Sequence, residues 1–169
     1  MSDRKGRISR NRTDLMLKLT KKADYGLMAM KHLAERAGAG ACSAKDLAEA
    51  YGIPQEALAK ILQRLVKADL LRSQHGTNGG YTLARDAAKI SAFEVIRAID
   101  GPLFITSCVT VRGECGQSDR CTIREPLRRV NNSIEEVLRR ITISEMREEE
   151  SAGSEPADLT KSGELVTIR

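Results

Sequence analysis

The chain has 169 residues, 41% of them hydrophobic and 3% aromatic, and it carries 28 basic against 23 acidic side chains, a net charge of +5. This composition suits one main core with a smaller appendage, and among nucleic acids it favours duplex DNA, because single strands need more aromatic stacking surfaces. No membrane-length apolar run, secretory leader or catalytic motif is present, so we expect a cytoplasmic protein that is not an enzyme and binds neither membranes nor a small-molecule substrate.

The first helix of the chain is predicted between Leu19 and Gly38. Apolar residues recur there at intervals of three and four, and the glycine-rich end of the stretch stops the pattern. The arginine-rich residues 1–16 that precede it are expected to form a basic, disordered extension. Residues 17–90 are expected to form the main domain.

Two further helices are predicted on either side of the tetrapeptide YGIP. The segment SAKDLAEAY begins with Ser43 as a helix cap and has Asp46 three residues later, which is the spacing of a capping box. Pro54 can occupy the first turn of the next helix, whose apolar face carries Leu58 and Leu62. Two helices connected in this way predict a helix-turn-helix.

A β-hairpin is predicted directly after the helix pair, in LLRSQHGTNGGYTLA, where strand-forming residues flank a glycine-rich turn. Appended to a helix-turn-helix, such a hairpin is a wing that lies along the phosphate backbone while the preceding helix enters the major groove. The alternative is a helical domain with an ordinary surface hairpin. The predicted DNA contacts are Ser43, Gln55, Glu56, Lys60, Gln63, Arg64, Arg72, His75, Thr77, Asn78 and Tyr81.

Three of the four cysteines lie in one short stretch that follows a predicted connecting helix. Residues 91–106 contain that helix, SAFEVIRAIDG, and residues 107–122 form a loop with Cys108, Cys115 and Cys121. These intervals are wider than the C-x2-C pairs of structural zinc sites. Because thiols stay reduced in the cytoplasm, the cluster indicates metal binding or redox sensing rather than a disulfide.

The last predicted helix, within residues 123–146, carries an apolar seam with alternating steps of three and four. Leu127, Val130, Ile134 and Ile141 belong to it, together with Val137 or Leu138. A second copy of the same helix would cover this seam, and the alternative is packing against the first helix of the same chain. Residues 147–169 are acidic and polar and are expected to be a disordered tail.

Four segments together resemble the Rrf2 family of winged-helix transcription regulators: LTKKADYGLMAMKHLA, HGTNGGYTLA, FEVIRAIDGP and the three-cysteine loop. The resemblance covers about residues 17 to 146 and is greatest to the branch that regulates the SUF iron-sulfur assembly system. It implies a mainly α fold with a small β-hairpin wing and a long dimerisation helix. It also implies a homodimer on double-stranded DNA, in which Cys108, Cys115 and Cys121 hold a 2Fe-2S or 4Fe-4S cluster.

A fourth cluster ligand is implied by the same resemblance. Arg124 stands where the IscR branch of the family has a histidine, whereas Asp24 matches the aspartate with which the NsrR branch reaches across its dimer. The alternative for Asp24 is an ordinary acid in the first turn of a helix. Cys42 is interpreted as a small buried residue rather than a ligand.

The resemblance implies a cluster-sensing regulator of transcription, expected to repress iron-sulfur assembly or stress-response genes. A zinc-binding or thiol-redox regulator on the same fold is the alternative. Ala59 occupies the position of a glutamate that makes site choice depend on the cluster in some members, so that two-class DNA specificity is not carried over. Family members also tend to begin near MLKLTKK, which makes Met16 a second candidate start.

Overall fold

The computed structural model describes residues 19–76, 79–105 and 120–148. In these ranges the chain is mainly helical with one two-stranded antiparallel hairpin, so the predicted fold class is confirmed. Thr77, Asn78, Cys108 and Cys115 lie outside the described residues, as do the basic extension up to residue 18 and the tail from residue 149. None of the helices in the described ranges is long and apolar enough to cross a membrane.

Helix α1, Lys21–Glu35, begins at a threonine cap and forms one wall of the core. The Thr20 hydroxyl oxygen accepts a hydrogen bond from the Ala23 amide at 3.1 Å, which satisfies one of the free donors at the helix start. The buried face of α1 consists of Ala23, Gly26, Ala29, Met30, Leu33 and Ala34. Small residues on this face allow other helices to approach closely.

The helix pair α2, Ala44–Tyr51, and α3, Gln55–Lys67, follows the predicted signals. The Ser43 hydroxyl accepts from the Asp46 amide at 3.1 Å, and Gly52 ends α2 in the left-handed region at φ 61°. Helix α3 buries Leu58, Ile61, Leu62 and Leu65 and leaves its opposite face in solvent. The buried leucines fix α3 on the core, so its polar face is free for a partner.

The hairpin consists of β1, Leu71–Gln74, and β2, Gly80–Leu83, with Leu71 opposite Leu83. A short bridge fastens it to the start of α2: the Cys42 amide donates to the Tyr81 carbonyl at 3.1 Å, and the Tyr81 amide donates back at 2.9 Å. A Cβ atom at Gly80 would lie 2.5 Å from the Cys42 carbonyl oxygen. The close backbone contact therefore requires glycine at this position.

Helix α4, Ala92–Asp100, closes the core of the winged domain. Ser91 and Glu94 form a complete capping box at its start. Its inner side buries Phe93, Val95, Ile96 and Ile99. A Cβ built on Gly26 of α1 would lie 2.1 Å from the Ile99 terminal methyl, so a glycine lets α1 and α4 cross at close range.

The long helix α5, Arg124–Arg140, ends before the predicted boundary at residue 146. The chain then returns to the winged domain, where the Ala92 amide donates to the Ile141 carbonyl at 2.8 Å and the Ile143 amide donates to Ile90 at 2.9 Å. The Ile143 side chain is fully buried, and a short helix α6, Glu145–Glu148, follows. Burial of Ile143 requires an extended segment here, which explains why the helix stops.

Candidate nucleic-acid interface and cysteine site

The polar face of α3 is exposed to solvent. Gln55, Glu56, Lys60 and Gln63 are all exposed on it. Lys60 also lines a groove with Lys22 at the start of α1, and Glu56 and Arg64 belong to the same lining. Uncharged amides that can read bases thus lie next to cations that can hold phosphates.

Arg64 is also exposed on this helix and lines the same groove, but its guanidinium is bonded within the protein. Its guanidinium donates a hydrogen bond to the backbone carbonyl of Ile99, in the last turn of α4. The sequence interpretation placed Arg64 among the DNA contacts, because spacing alone gives an outward-facing arginine. The bond to α4 is a long-range contact that the local pattern does not reveal.

The wing presents a second polar surface. Arg72 on β1 and His75 beyond it are exposed, whereas Tyr81 on β2 is half-buried beside its bridge to Cys42. Ser43 is also half-buried and occupied as the cap of α2. Among the predicted DNA contacts, Arg72 and His75 are therefore accessible to a phosphate backbone. Ser43 and Tyr81 are instead held by contacts within the domain.

The described thiols have different surroundings. Cys121 is half-buried and free, three residues before α5. Cys42 is free but buried, and burial raises the pKa of its thiol, an effect that the nearby Arg36 charge only partly opposes. Cys42 is therefore a small core residue, as the sequence indicates, and Cys121 is the more available ligand.

Asp24 is exposed in the first turn of α1, and no hydrogen bond or ion pair of its carboxylate is found within the described ranges. In these ranges no three or more His, Cys, Asp or Glu side chains come together in a way that could hold a metal ion. Since two of the three clustered cysteines fall outside the described residues, the predicted ligand set stays a prediction. Thiolates are nevertheless the donors that iron-sulfur clusters take.

The chain just before the cysteine stretch is held by a buried polar residue. Asn131 in α5 is 2% exposed, and its side-chain oxygen accepts from the Ile105 amide at 3.1 Å. Its side-chain nitrogen donates to Glu135 at 3.2 Å. A buried amide satisfied on both sides specifies one arrangement of these elements. An asparagine beside an apolar seam was the only signal of it in the sequence.

A stripe of large apolar side chains on and beside α5 remains in solvent. Val130 is 48% exposed and Val137 57%, and Ile123 and Ile141 lie at the ends of the same stripe. Ion pairs between residues one turn apart, such as Glu135 with Arg139, flank it. Packing against α1 of the same chain would have buried the two valines. Their exposure favours the expectation that a second molecule covers the stripe over the alternative of packing on α1.

A helix-turn-helix with an exposed, partly cationic second helix and an attached wing defines a DNA-binding transcription regulator. The profile of the Rrf2 family, described as iron-dependent transcriptional regulators, matches residues 19–149, and the chain belongs to this family. The relatives are named as transcription regulators, a class without enzymatic activity, so the expectation of a non-enzyme is confirmed.

Several relatives support the assignment. The regulator IscR of Sodalis glossinidius is 34% identical over 130 residues, which cover 77% of this chain and 78% of the relative. A Mycobacterium tuberculosis protein named as an HTH-type transcriptional regulator is 44% identical over 87 residues. Those residues cover 52% of this chain and 54% of that relative, so the match spans about half of its length.

Solved structures show the same fold. A structure titled T. potens IscR has a TM-score of 0.66 at 32% identity and covers 83% of this chain and 94% of its own. The structure of CymR, titled the global cysteine regulator of B. subtilis, has a TM-score of 0.64 at 28% identity and covers 79% of this chain and 98% of its own. The two titles name regulators of different kinds on one architecture.

Proposed function

We propose that this regulator senses an iron-sulfur cluster, binds double-stranded DNA as a homodimer and represses iron-sulfur assembly or stress-response genes. The observation that carries the proposal is that the described residues on both sides of the cysteine stretch lie at α5. Ile105 on one side is hydrogen-bonded to Asn131, and Cys121 on the other side is a free thiol next to α5. A cluster bound by this stretch would be connected along the chain to the winged domain on one side and to the helix with the uncovered stripe on the other.

The proposed ligands are Cys108, Cys115 and Cys121, with Asp24 from the partner subunit as the fourth. The free Cys121 thiol fits this role, as does the exposed Asp24 carboxylate, which has no partner among the described residues. Carboxylate is a harder ligand for cluster iron than thiolate and binds it more weakly. When bound, the cluster, of 2Fe-2S or 4Fe-4S type, would supply an iron that oxygen or nitric oxide can attack.

The proposed dimer forms through the stripe on α5. Val130 and Val137 of two copies would pack against each other, with the charged residues beside them at the rim. A two-fold dimer places two copies of α3 against one duplex, with half-sites about 34 Å apart for one helical turn. A change in the angle between the α5 helices would therefore change the fit to DNA.

The proposed DNA contacts divide by chemistry. Gln55 and Gln63 can form hydrogen bonds to base edges, and Lys60 and Arg72 hold phosphates. The other proposed contacts are Ser43, Glu56, His75, Thr77, Asn78 and Tyr81. Arg64 is treated separately below, because its guanidinium is bonded to Ile99.

The test is purification without oxygen, followed by an absorption spectrum with iron and acid-labile sulfide assays. We expect a brown protein that is bleached by oxygen or nitric oxide. Cys121→Ala should abolish the colour, and Asp24→Ala should weaken cluster retention by about tenfold or more, on the scale of metal-site substitutions. Cys42→Ala is the matched control and should keep the cluster, because that thiol is buried in the core.

A colourless protein without iron or sulfide that still binds duplex DNA would contradict the cluster proposal. The second candidate, a thiol-responsive or zinc regulator, would then take its place. The structural likeness to CymR, whose title names a cysteine regulator, favours that candidate. Zinc analysis would identify a zinc regulator, and a change in DNA affinity after mild oxidation would identify a thiol-responsive one.

A further inference from the structure

Residues 99–105 join three parts of the fold through hydrogen bonds, and we name them the anchor segment. The Ile99 carbonyl accepts from Arg64 of α3, and the Asp100 carboxylate accepts from the Thr20 hydroxyl at the start of α1 at 2.7 Å. At the other end, the Ile105 amide donates to Asn131 of α5. The cysteine stretch begins directly after this segment in the sequence.

The contact made by Arg64 is favourable for two reasons. The last carbonyls of a helix have no partner within it, and Ile99 lies in the final turn of α4. A cation near a helix C-terminus also interacts favourably with the helix dipole. Arg64 therefore satisfies an acceptor that would otherwise need water, and it does so from the helix that carries the predicted DNA contacts.

The anchor segment also lies where helices cross at close range. Gly26 of α1 would bring a Cβ atom to 2.1 Å from Ile99 and to 3.5 Å from Ile61 of α3. Such packing leaves little room for α3 to move independently of the end of α4. The hydrogen bond of Arg64 adds direction to this contact, because a guanidinium has a fixed donor geometry.

We infer that Arg64 is a positioning residue rather than a DNA contact, and that it couples the orientation of α3 to the anchor segment. A displacement of Ile105 or Asn131 is transmitted to α3 along this segment, through the bond between the Ile99 carbonyl and Arg64. This regulatory role rests on the proposed function, whereas the coupling between α3 and the anchor segment does not require a cluster.

The first experiment measures DNA affinity over a series of salt concentrations. The probe is a duplex selected from a randomised pool by the wild-type protein, and every variant carries Cys121→Ala so that no cluster contributes. Lys60→Gln, the matched control on the same helix, should lower the salt slope by about 0.9, the value for one lost phosphate contact. Arg64→Gln should weaken binding by about threefold to tenfold with an unchanged slope.

The second experiment measures amide hydrogen exchange in peptides that contain the anchor segment. Addition of the duplex should slow exchange there in the parent protein and in Lys60→Gln, but not in Arg64→Gln. Arg64→Lys, which keeps a cationic donor, should restore part of the response. If Arg64→Gln does not fold, Arg64→Met keeps the aliphatic stem and gives the same two readouts.

Two results would overturn the inference. One is a loss of salt slope in Arg64→Gln equal to that of Lys60→Gln, since Arg64 would then hold a phosphate. The other is an exchange response that survives in Arg64→Gln. A protein purified without iron or sulfide would instead refute the proposed cluster function while leaving both measurements decisive for Arg64.

Discussion

The winged domain and helix α5 follow the same apolar rule with different results. In α3 the side chains spaced by three and four residues are buried, with Leu58 and Leu62 fully covered. On α5 the same spacing leaves Val130 and Val137 about half exposed. An apolar pattern therefore predicts that a face will be covered, but not which molecule covers it. The winged domain covers its own apolar face, whereas the apolar face of α5 stays exposed in the single chain.

The largest expected effect is a loss of stability when a buried apolar side chain of the winged domain is shortened. Leu62→Ala removes a fully buried side chain and should lower the free energy of unfolding by about 2–5 kcal/mol. Urea unfolding followed by circular dichroism measures the loss. Val137→Ala is the matched control in α5. If both variants lost the same free energy of unfolding in dilute protein, the difference in burial between α3 and α5 would be contradicted.

A charge placed on the α5 stripe tests whether this exposed surface is used for self-association. Val130→Asp should weaken self-association by about 2 kcal/mol, since an unpaired carboxylate would enter an apolar interface, and should leave helix content unchanged. Sedimentation at several concentrations gives the dissociation constant. Asn132→Asp, exposed elsewhere on the helix, should keep the wild-type value. A dimer that tolerates Val130→Asp would place the interface on another surface.

The smallest expected effect concerns acid sensitivity. Burial alone would raise the pKa of Glu94, but hydrogen bonds from Ser91 and the charge of Arg85 outweigh it and hold that pKa below its ordinary value. A lowered folded-state pKa stabilises the protein above the unfolded value near 4.5, and this stabilisation disappears as the pH falls through the folded pKa.

Glu94→Gln should therefore flatten the acid side of the stability curve, by about 0.5 kcal/mol because the pair with Arg85 is partly exposed. Denaturant unfolding between pH 3 and pH 6 measures it, a range set by the ordinary carboxyl pKa near 4. Glu125 on α5 is the comparison, since its pKa is also lowered by its hydrogen bond to Arg128 but in full solvent. Glu125→Gln should leave the curve unchanged, and an equal response of both variants would contradict the distinction.

Helix caps and turn glycines predicted the helix ends and the hairpin, because these features depend on contacts between residues close in sequence. Ser43, Gly52 and the glycine-rich turn fix helix ends and the hairpin through contacts a few residues apart, and the structure contains those ends and that hairpin. Long-range contacts had no such signal. The return of the chain to bury Ile143, and the bond from Arg64 to Ile99, depend on which elements meet in space.

The candidate site was predictable to a different degree. The exposed amides of α3 follow from helical spacing, so Gln55 and Gln63 could be named as outward-facing. Asn131 could not be named, because its role depends on the Ile105 amide, 26 residues earlier in the chain. The role proposed for Asp24 is harder still to predict from residue patterns, because its ligand function depends on a partner subunit. The sequence indicated it only through the family resemblance.

The two attachments of α5 have a mechanical consequence. The helix is joined to its own winged domain at Asn131 and again after its end, where Ile141 and Ile143 pair with residues around α4. Because α5 is attached at two points, it cannot rotate freely relative to its own winged domain. In the proposed dimer, any rotation of one α5 against the other would therefore carry the attached winged domain with it. A small rotation at the α5 stripe would then produce a larger displacement at the wing.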